Sequence, residues 1–566
     1  MNILLALFLI HLLSGQIRIP NSTELKASMK SSFSNYKLEE ATISTSFLAP
    51  RPPFIGRRMT AAVLGVAAAL SACGGNDSEP GPATTPIASA ESQCHAFLGR
   101  SIEGATVTKV RLDAPTATAP ETCVVLAEMP QDLDFEVRMP TTWNRRTVFI
   151  GGGGFDGTIA TSAYSPDVAL AGYATIATNH GHTGTAIEPP TWALNAEMLA
   201  EYGYLGVPRV LPAAKAILKE RYGDQQFAST KLVYEGCSGG GRQGLIEAQR
   251  YPDLFDGVIS RAPANAYTAQ FLWYQKVAKQ LAKPGANLTS GKVKALATAV
   301  LAKCDALDGL ADGLIGKPDA CTFDLASMKC TGVETDSCLT DLQVQSVKAI
   351  YEPTNVAGYV WPGFPFGGEE FGAASLQAWG GPGATSLGQG FIQYMVTQNP
   401  SVNWLDVDPA QYTSRLAFLS GQIEAINPDL SRFKASGGKL ILWTGLTDWL
   451  ITANNATDYY TKVVAASGGQ TYADEFVEYF TAPGVSHCSN AVGNGQGADS
   501  VNLVGPMFDW LEKGVKPSSV GIVGTQSNPL EGQTAKKRPL CKFPEYAKYN
   551  GTGDPNAAAS FSCVKP

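Results

Sequence analysis

The chain has 566 residues, 44% hydrophobic and 16% charged, a balance that suits a globular protein with a large core and excludes disorder as the state of the whole chain. With 43 Lys and Arg against 50 Asp and Glu, the formal net charge is -7. No long basic run is present to neutralise a phosphate backbone, so nucleic acid is not an expected partner.

In chain order, two apolar stretches come first. Asn2 to Leu13 (NILLALFLIHLL) is too short to cross roughly 30 Å of hydrocarbon as a helix, and it lacks a positive flank. The second, GRRMTAAVLGVAAALSACGG, places Arg57 and Arg58 before an apolar run and ends in Leu70-Ser71-Ala72-Cys73, which resembles a bacterial lipoprotein box. Cleavage before Cys73 would make its thiol a site of lipid attachment and membrane anchoring; an ordinary secretory signal cut nearby is the alternative. Both predict export, to the outer membrane as a lipoprotein or to the periplasm or exterior. Residues 1–73 therefore read as leader, with 1–58 an upstream extension, and the Gly-, Pro-, Ser- and Thr-rich residues 74–92 as a flexible tether.

Of 11 cysteines, ten remain once Cys73 is set aside. An even number behind an export signal argues for disulfides, with buried free thiols as the alternative. Local pairs suggest themselves: Cys94 with Cys123, Cys304 with Cys321, Cys330 with Cys338, and Cys541 with Cys563. Cys237 and Cys488 are left over, far apart in sequence.

From about Cys94 short apolar runs alternate with helix-like segments, the pattern of a mostly parallel sheet with crossover helices. RTVFIGGGG (Arg146 to Gly154) predicts a strand entering a glycine loop, and YATIATNHG (Tyr173 to Gly181) a second strand. The following helical material is expected to break around Pro208 and Pro212. KLVYEG predicts a strand, RQGLIEAQRYPDLFDGVISRAPA a helix and a strand, and GGKLILWTG and EFVEYFTAPG the last two strands, with NNATDYYTKVVAAS as the helix between them. This α/β order is interrupted once, over residues 265–434, a Gly-, Pro-, Trp- and Phe-rich segment with four cysteines. A βα unit needs only about 30 residues. The excess predicts a lid domain inserted into a catalytic domain formed by residues 93–264 and 435–566.

Gly236-Cys237-Ser238-Gly239-Gly240 fits G-x-S-x-G between a strand and a helix, the setting of a nucleophile elbow. A serine hydroxyl needs a base to take its proton, and only five histidines are available. His11 falls in the leader and His95 at the start of the fold. His180 and His182 precede the serine, whereas the expected chain order is Ser, Asp, His; His487, after the last strand, satisfies it. Asp448, after the preceding strand, is the candidate acid that orients the imidazole, while Asp458 falls in the next helix. A Cys237–Cys488 disulfide would then clamp the serine turn to the histidine turn, since bonded cysteines hold their Cα atoms roughly 4.4 to 6.8 Å apart. The backbone N–H of Gly239, with a second from Gly151 to Gly154 taken as that of Gly154, would receive the developing oxyanion.

In the expected lid, CDALDGLADGLIG sets Asp305, Asp308 and Asp312 within eight residues. Three carboxylates supplemented by main-chain carbonyls, such as those of Leu310 and Leu314, suit Ca2+ in a site that is not an EF-hand, against the alternative of a solvated acidic turn.

These features together, the Cys-Ser elbow, the late Asp, the His-Cys pair and the CDALDGLADG loop, resemble the tannase and feruloyl esterase family from about Cys94 to Cys563. The resemblance implies an α/β-hydrolase fold with a large inserted lid domain, a lid-bound calcium, five disulfides and hydrolysis of esters of aromatic acids, whether feruloyl, galloyl or terephthalate monoester. It places Ser238, Asp448, His487, Cys237, Cys488, Asp305, Asp308 and Asp312 at the family's matching positions, with Leu310 and Leu314 as carbonyl donors. One departure is Leu387, in TSLGQGF (Thr385 to Phe391), where a terephthalate monoester enzyme of the family carries a carboxylate-gripping arginine. Trp361, Phe391 and Trp404 are candidates to stack on an aromatic acid, although most aromatics in such a segment are core. The expected partner is thus a small aromatic ester. A surface-anchored, non-catalytic aromatic-binding protein on the same scaffold, and a peptidase using the same triad, are the competing readings.

Overall fold

The computed structural model describes residues 89–369, 382–489 and 496–566. The leader, Cys73 and most of the tether lie outside them. The described part opens with a helix, Ala90–His95, that begins inside the stretch expected as tether; the Ser89 side chain accepts from the Ser92 amide at its start, and Cys94 is bonded to Cys123. A capped turn with a covalent anchor orders residues whose composition alone suggests a linker.

Among the described residues, ten strands form one sheet. β1 (Ser101–Ile102), β2 (Ala105–Asp113), β3 (Thr122–Met129) and β4 (Leu133–Pro140) make an antiparallel wing that the sequence reading did not foresee. β5 (Arg146–Ile150), β6 (Ala174–Thr178), β7 (Lys231–Cys237), β8 (Gly257–Arg261), β9 (Lys439–Gly445) and β10 (Val477–Ala482) are parallel. Their order across the sheet is β1-β2-β3-β4-β6-β5-β7-β8-β9-β10. The chain reverses direction across the sheet between β5 and β7, and in such sheets the crevice at the strands' carboxyl ends is where ligands bind.

Helices α1 (Gly206–Tyr222), α2 (Gly239–Arg250), α3 (Tyr267–Leu281), α4 (Ala453–Ala466) and α5 (Val504–Lys513) bear on the site. The parallel strands are continuous apolar runs because both their faces are covered. Phe149, Tyr234, Val258, Leu440 and Leu442 join Ile217 of α1 and Leu245 of α2 in one core. The residues between them, Val148, Val233, Ile259, Ile441 and Trp443, join Met507 and Phe508 of α5 in another.

Contrary to expectation, the chain stays helical through both prolines. A π turn at Glu201–Leu205 leads into α1, and Pro212 sits inside it. Pro208 falls in the first turn of α1, where an amide has least need of a helical partner. Pro212 costs about 3 kcal/mol, but α1 buries Val207, Val210, Leu211, Ile217 and Leu218, each worth roughly 1.5–3 kcal/mol.

The segment expected as lid builds a core of its own from residues such as Leu272, Trp273, Val293, Ile350, Trp361, Phe391 and Leu416, into which Phe155, Trp192 and Tyr202 also pack from loops of the sheet. Its end differs from the expected 434: Ala425, Leu430 and Phe433 already belong to the core of the sheet, and a helix, Ser431–Ala435, crosses the join. Burial of three apolar side chains against the sheet, rather than composition, sets that boundary. After β10 come two short antiparallel ribbons, Val523–Thr525 with Lys537–Pro539 and Tyr546–Tyr549 with Phe561–Val564. No described helix is long and apolar enough to cross a membrane.

Candidate active site

β7 ends at Cys237, α2 begins at Gly239, and Ser238 between them adopts φ 62°, ψ -121°. A positive φ on a residue with a Cβ is strained and persists only where its surroundings hold it. The Ser238 amide donates to the Arg261 carbonyl at 3.0 Å, and the Ser238 carbonyl accepts from Arg242 at 3.0 Å and Ala264 at 3.1 Å. The flanking glycines are sterically required: a Cβ at Gly236 would lie 2.6 Å from the Gly240 carbonyl, and one at Gly240 2.5 Å from the Gly152 oxygen. Ser238 itself is only partly buried.

Asp448 lies in the loop after β9 and His487 in the loop after β10. The Asp448 Oδ2 stands 2.8 Å from His487 Nδ1, and its Oδ1 accepts from the amides of Leu450 and Ile451, each at 2.9 Å. A carboxylate so placed accepts a hydrogen bond from Nδ1–H, which keeps the proton on Nδ1 and leaves Nε2 as the basic nitrogen of the ring. Asp448 is 2% and His487 6% exposed, so little water competes for that contact. The two loops are sewn together: both the amide and the hydroxyl of Thr447 donate to the Val485 carbonyl, at 3.1 and 2.9 Å. Cys237 and Cys488 are bonded with Cα atoms 5.9 Å apart, which brings the serine turn and the histidine turn together. The four local disulfides pair as the spacing suggested. Asp458 is elsewhere, paired with Lys462 on the exposed face of α4.

Gly154 has φ 56°, and a Cβ there would lie 2.2 Å from the Ala186 carbonyl oxygen. It stands against Gly239, whose own Cβ would meet the Gly154 oxygen at 3.0 Å and nitrogen at 3.2 Å. Among the described residues, neither the Gly154 nor the Gly239 amide donates to another backbone carbonyl. Two unspent N–H groups side by side at the mouth of an elbow suit a developing negative charge.

Sequence reading missed the polar residues behind this loop. Asp156 is fully buried; its amide donates to Gly153 at 2.8 Å, and its Oδ2 accepts from Gln243 of α2. Burial pushes the Asp156 carboxyl up to about 7, against the opposing pull of Arg242. His180 lies 3.5 Å from that carboxylate, and burial holds its imidazole well below the usual histidine range. His182 Nε2 meets the Phe155 carbonyl at 2.8 Å and its ring stacks on Trp192. Arg242, also fully buried, donates to the carbonyls of Gly203, Ile423 and Tyr202 at 3.0, 3.0 and 3.1 Å. In the sequence, Arg242 and Gln243 are two long polar side chains near the start of α2, just past the elbow motif, and nothing there shows what they face.

In the acidic loop, closed by Cys304–Cys321, Asp305 accepts from the Gly313 amide at 2.9 Å, Asp308 from Leu310 at 3.1 Å and Asp312 from Leu314 at 3.2 Å. Asp312 also pairs with Arg538. Among the described residues no three acidic, His or Cys side chains are drawn close enough to clamp an ion as they stand. Two observations nonetheless fit a hard cation: Asp305 Oδ1 is buried without a partner, and burial together with Asp312 and Asp305 pushes the Asp308 carboxyl up to about 7.

The lid aromatics are buried. Trp361 and Phe391 are 0% exposed and Trp404 6%. Trp361 stacks on Trp273 and Phe391 on Phe271, so these rings hold the lid core together. Leu387 is 6% exposed in the same core.

The sequence profile of the family described as tannase and feruloyl esterase matches residues 120–564. Mono(2-hydroxyethyl) terephthalate hydrolase of Piscinibacter sakaiensis is 29% identical over 540 residues, spanning 80% of this chain and 86% of its own. A probable feruloyl esterase of Arthroderma benhamiae is 31% identical over 449 residues, 75% of this chain and 81% of its own. Among solved structures, feruloyl esterase B from Aspergillus oryzae superposes with a TM-score of 0.74 at 26% identity, over 84% of this chain and all of its own. The tannin acyl hydrolase from Aspergillus niger does so at 0.66 and 21% identity, over 84% of this chain and 94% of its own, a likeness of fold.

Proposed function

Since the chain belongs to the tannase and feruloyl esterase family, we propose that it is an exported serine carboxylic-ester hydrolase that cleaves esters of aromatic acids through an acyl-enzyme. The observation that carries this reading is the 2.8 Å contact of Asp448 with His487 Nδ1, in a histidine turn bonded through Cys488 to Cys237 beside Ser238.

In this mechanism His487 Nε2 takes the Ser238 hydroxyl proton as Oγ attacks the ester carbonyl, and Asp448 stabilises the imidazolium that forms. The carbonyl oxygen becomes an oxyanion held by the Gly239 and Gly154 amides. The imidazolium gives its proton to the departing alkoxide as the ester C–O bond breaks. Water, deprotonated by the same nitrogen, then cleaves the acyl-serine, and the free acid leaves with Ser238 restored.

The substrate class rests on the names of the relatives, a mono(2-hydroxyethyl) terephthalate hydrolase and a probable feruloyl esterase; Leu387, where the resemblance would put a carboxylate-binding arginine, supplies no charge for a second free carboxylate and counts against a dedicated terephthalate site. Ca2+ would be held by Asp305, Asp308 and Asp312 with the carbonyls of Leu310 and Leu314, and when bound it would neutralise the acidic loop and brace the lid. Lipidation at Cys73 would anchor the enzyme to a membrane.

The test is product release from methyl ferulate, methyl gallate and mono(2-hydroxyethyl) terephthalate, together with fluorophosphonate labelling of wild type and Ser238→Ala. Turnover of at least one ester, with label lost in the variant, is expected. Tight binding without turnover would replace this reading with a binding protein, and faster cleavage of matched amides with a peptidase.

A further inference from the structure

The Gly154–Phe155 peptide is gripped at both ends. Its N–H, from Phe155, donates to the Ala186 carbonyl at 2.8 Å, and its C=O, from Gly154, accepts from the Tyr202 hydroxyl at 3.0 Å. The Gly154 N–H lies in the preceding peptide plane, whose Gly153 carbonyl accepts from the Asp156 amide at 2.8 Å; because a glycine at φ 56° has wide conformational freedom, the plane that follows must be held as well for that N–H to keep its aim. Tyr202 is a rigid support. It is 1% exposed, packs on Trp192 with ring centroids 4.7 Å apart, lies under the Arg242 guanidinium at 4.7 Å, and occupies the π turn that precedes α1. Such turns recur at functional sites.

The hydroxyls of Tyr202 and Tyr267 are 3.0 Å apart. Tyr202 has one proton and two acceptors in reach, and of these the Gly154 carbonyl can only accept. The arrangement that satisfies every group sends the Tyr202 proton to Gly154 and the Tyr267 proton to Tyr202. Tyr267 is the first residue of α3, which opens the lid, and its ring packs on Phe271 and Phe391 of the lid core.

We infer that Tyr202 is a positioning residue for the oxyanion pocket, its hydroxyl fixing the Gly154 peptide, and that Tyr267 links it to the lid. This rests on the esterase reading above. The two hydroxyls are not equivalent: losing that of Tyr202 frees the Gly154 carbonyl, whereas losing that of Tyr267 leaves the Tyr202 to Gly154 bond in place.

The experiment compares Tyr202→Phe and Tyr267→Phe with wild type for kcat, KM, Tm, pH profile and the rate of fluorophosphonate labelling. In Tyr202→Phe, kcat and the labelling rate are expected to fall together by roughly tenfold, with KM and the pH profile unmoved. In Tyr267→Phe both rates should stay within about threefold of wild type. Tyr267→Phe breaks the same buried hydroxyl pair, so it controls for lost stability. Equal losses in the two variants, or a Tyr202→Phe kcat within twofold of wild type, would overturn the inference. A wild type that turns over no ester and takes no label would instead bring down the esterase reading, and this inference with it.

Discussion

Cys237 and Cys488 are bonded to each other across 251 residues of sequence, and each is the chain neighbour of a residue of the candidate site, Ser238 or His487. On a chain-entropy estimate, a loop of that length gives the disulfide roughly 5 kcal/mol of stabilisation, an upper figure because denatured chains retain structure. Replacing both cysteines by serine is expected to lower Tm markedly. It should also lower kcat at temperatures where the protein is still fully folded, because the two turns lose their common anchor. Thermal melts and steady-state rates measured well below Tm check this; an unchanged kcat in the folded variant would leave the bond a stability device alone.

Asp448→Asn should cost far more activity than stability. The amide can still accept from Leu450 and Ile451 through its oxygen, but facing His487 Nδ1 it favours the wrong tautomer. A fall of about 10^4-fold in kcat, with KM little changed, is the scale such a loss reaches. Comparing kcat, KM and Tm of the variant decides the point.

The buried Asp156 predicts a pH dependence of stability. Burial raises its carboxyl from 3.8 to about 7 in the fold. The folded state therefore binds this proton more tightly than the unfolded chain, and the stability it contributes is complete below about pH 4 and lost as pH rises toward 7. The loss is on the order of 4 kcal/mol at most. Asp156→Asn, which cannot ionise, should show a flatter profile between pH 4.5 and 7.5 in denaturant unfolding. Parallel profiles for variant and wild type would mean the carboxyl is already charged in the fold.

Calcium should raise Tm if the acidic loop binds it. At a hundredfold excess over Kd the linkage is worth about 2.7 kcal/mol. Asp305→Asn, which alters the buried unpartnered oxygen, should abolish most of the shift, and Mg2+ should reproduce little of it because it demands a tighter octahedron. Melts of chelated protein with each ion added back would show this.

How much of this was legible before the structure follows from the physics of each element. The parallel strands were readable because both faces are buried, which gives KLILWTG and KLVYEG their apolar stretches LILW and LVY. The antiparallel wing gives a weaker signal, since β2 (ATVTKVRLD) buries only Ala105 and Val107 fully and carries an apolar-polar alternation, broken in its pairing by a bulge between Val107 and Lys109, in place of a continuous apolar run. Ser238 announced itself through glycines that close packing requires, and His487 through the scarcity of histidines. Asp156, Arg242 and Tyr202 could not be placed, because their partners are backbone carbonyls and side chains dozens of residues away. For Trp361 and Phe391 the sequence offered both a stacking surface and, as the commoner case for such a segment, core, and tertiary packing turned both rings inward.

One covalent feature also sets how the molecule responds to cutting. Residues 238–487 lie between the two bonded cysteines and include the whole lid, with exposed points such as Val333. A single protease nick anywhere in that stretch opens a closed ring without releasing a fragment. Nicked protein should thus migrate as two bands only after reduction, and the severed lid should stay tethered to the sheet at both ends.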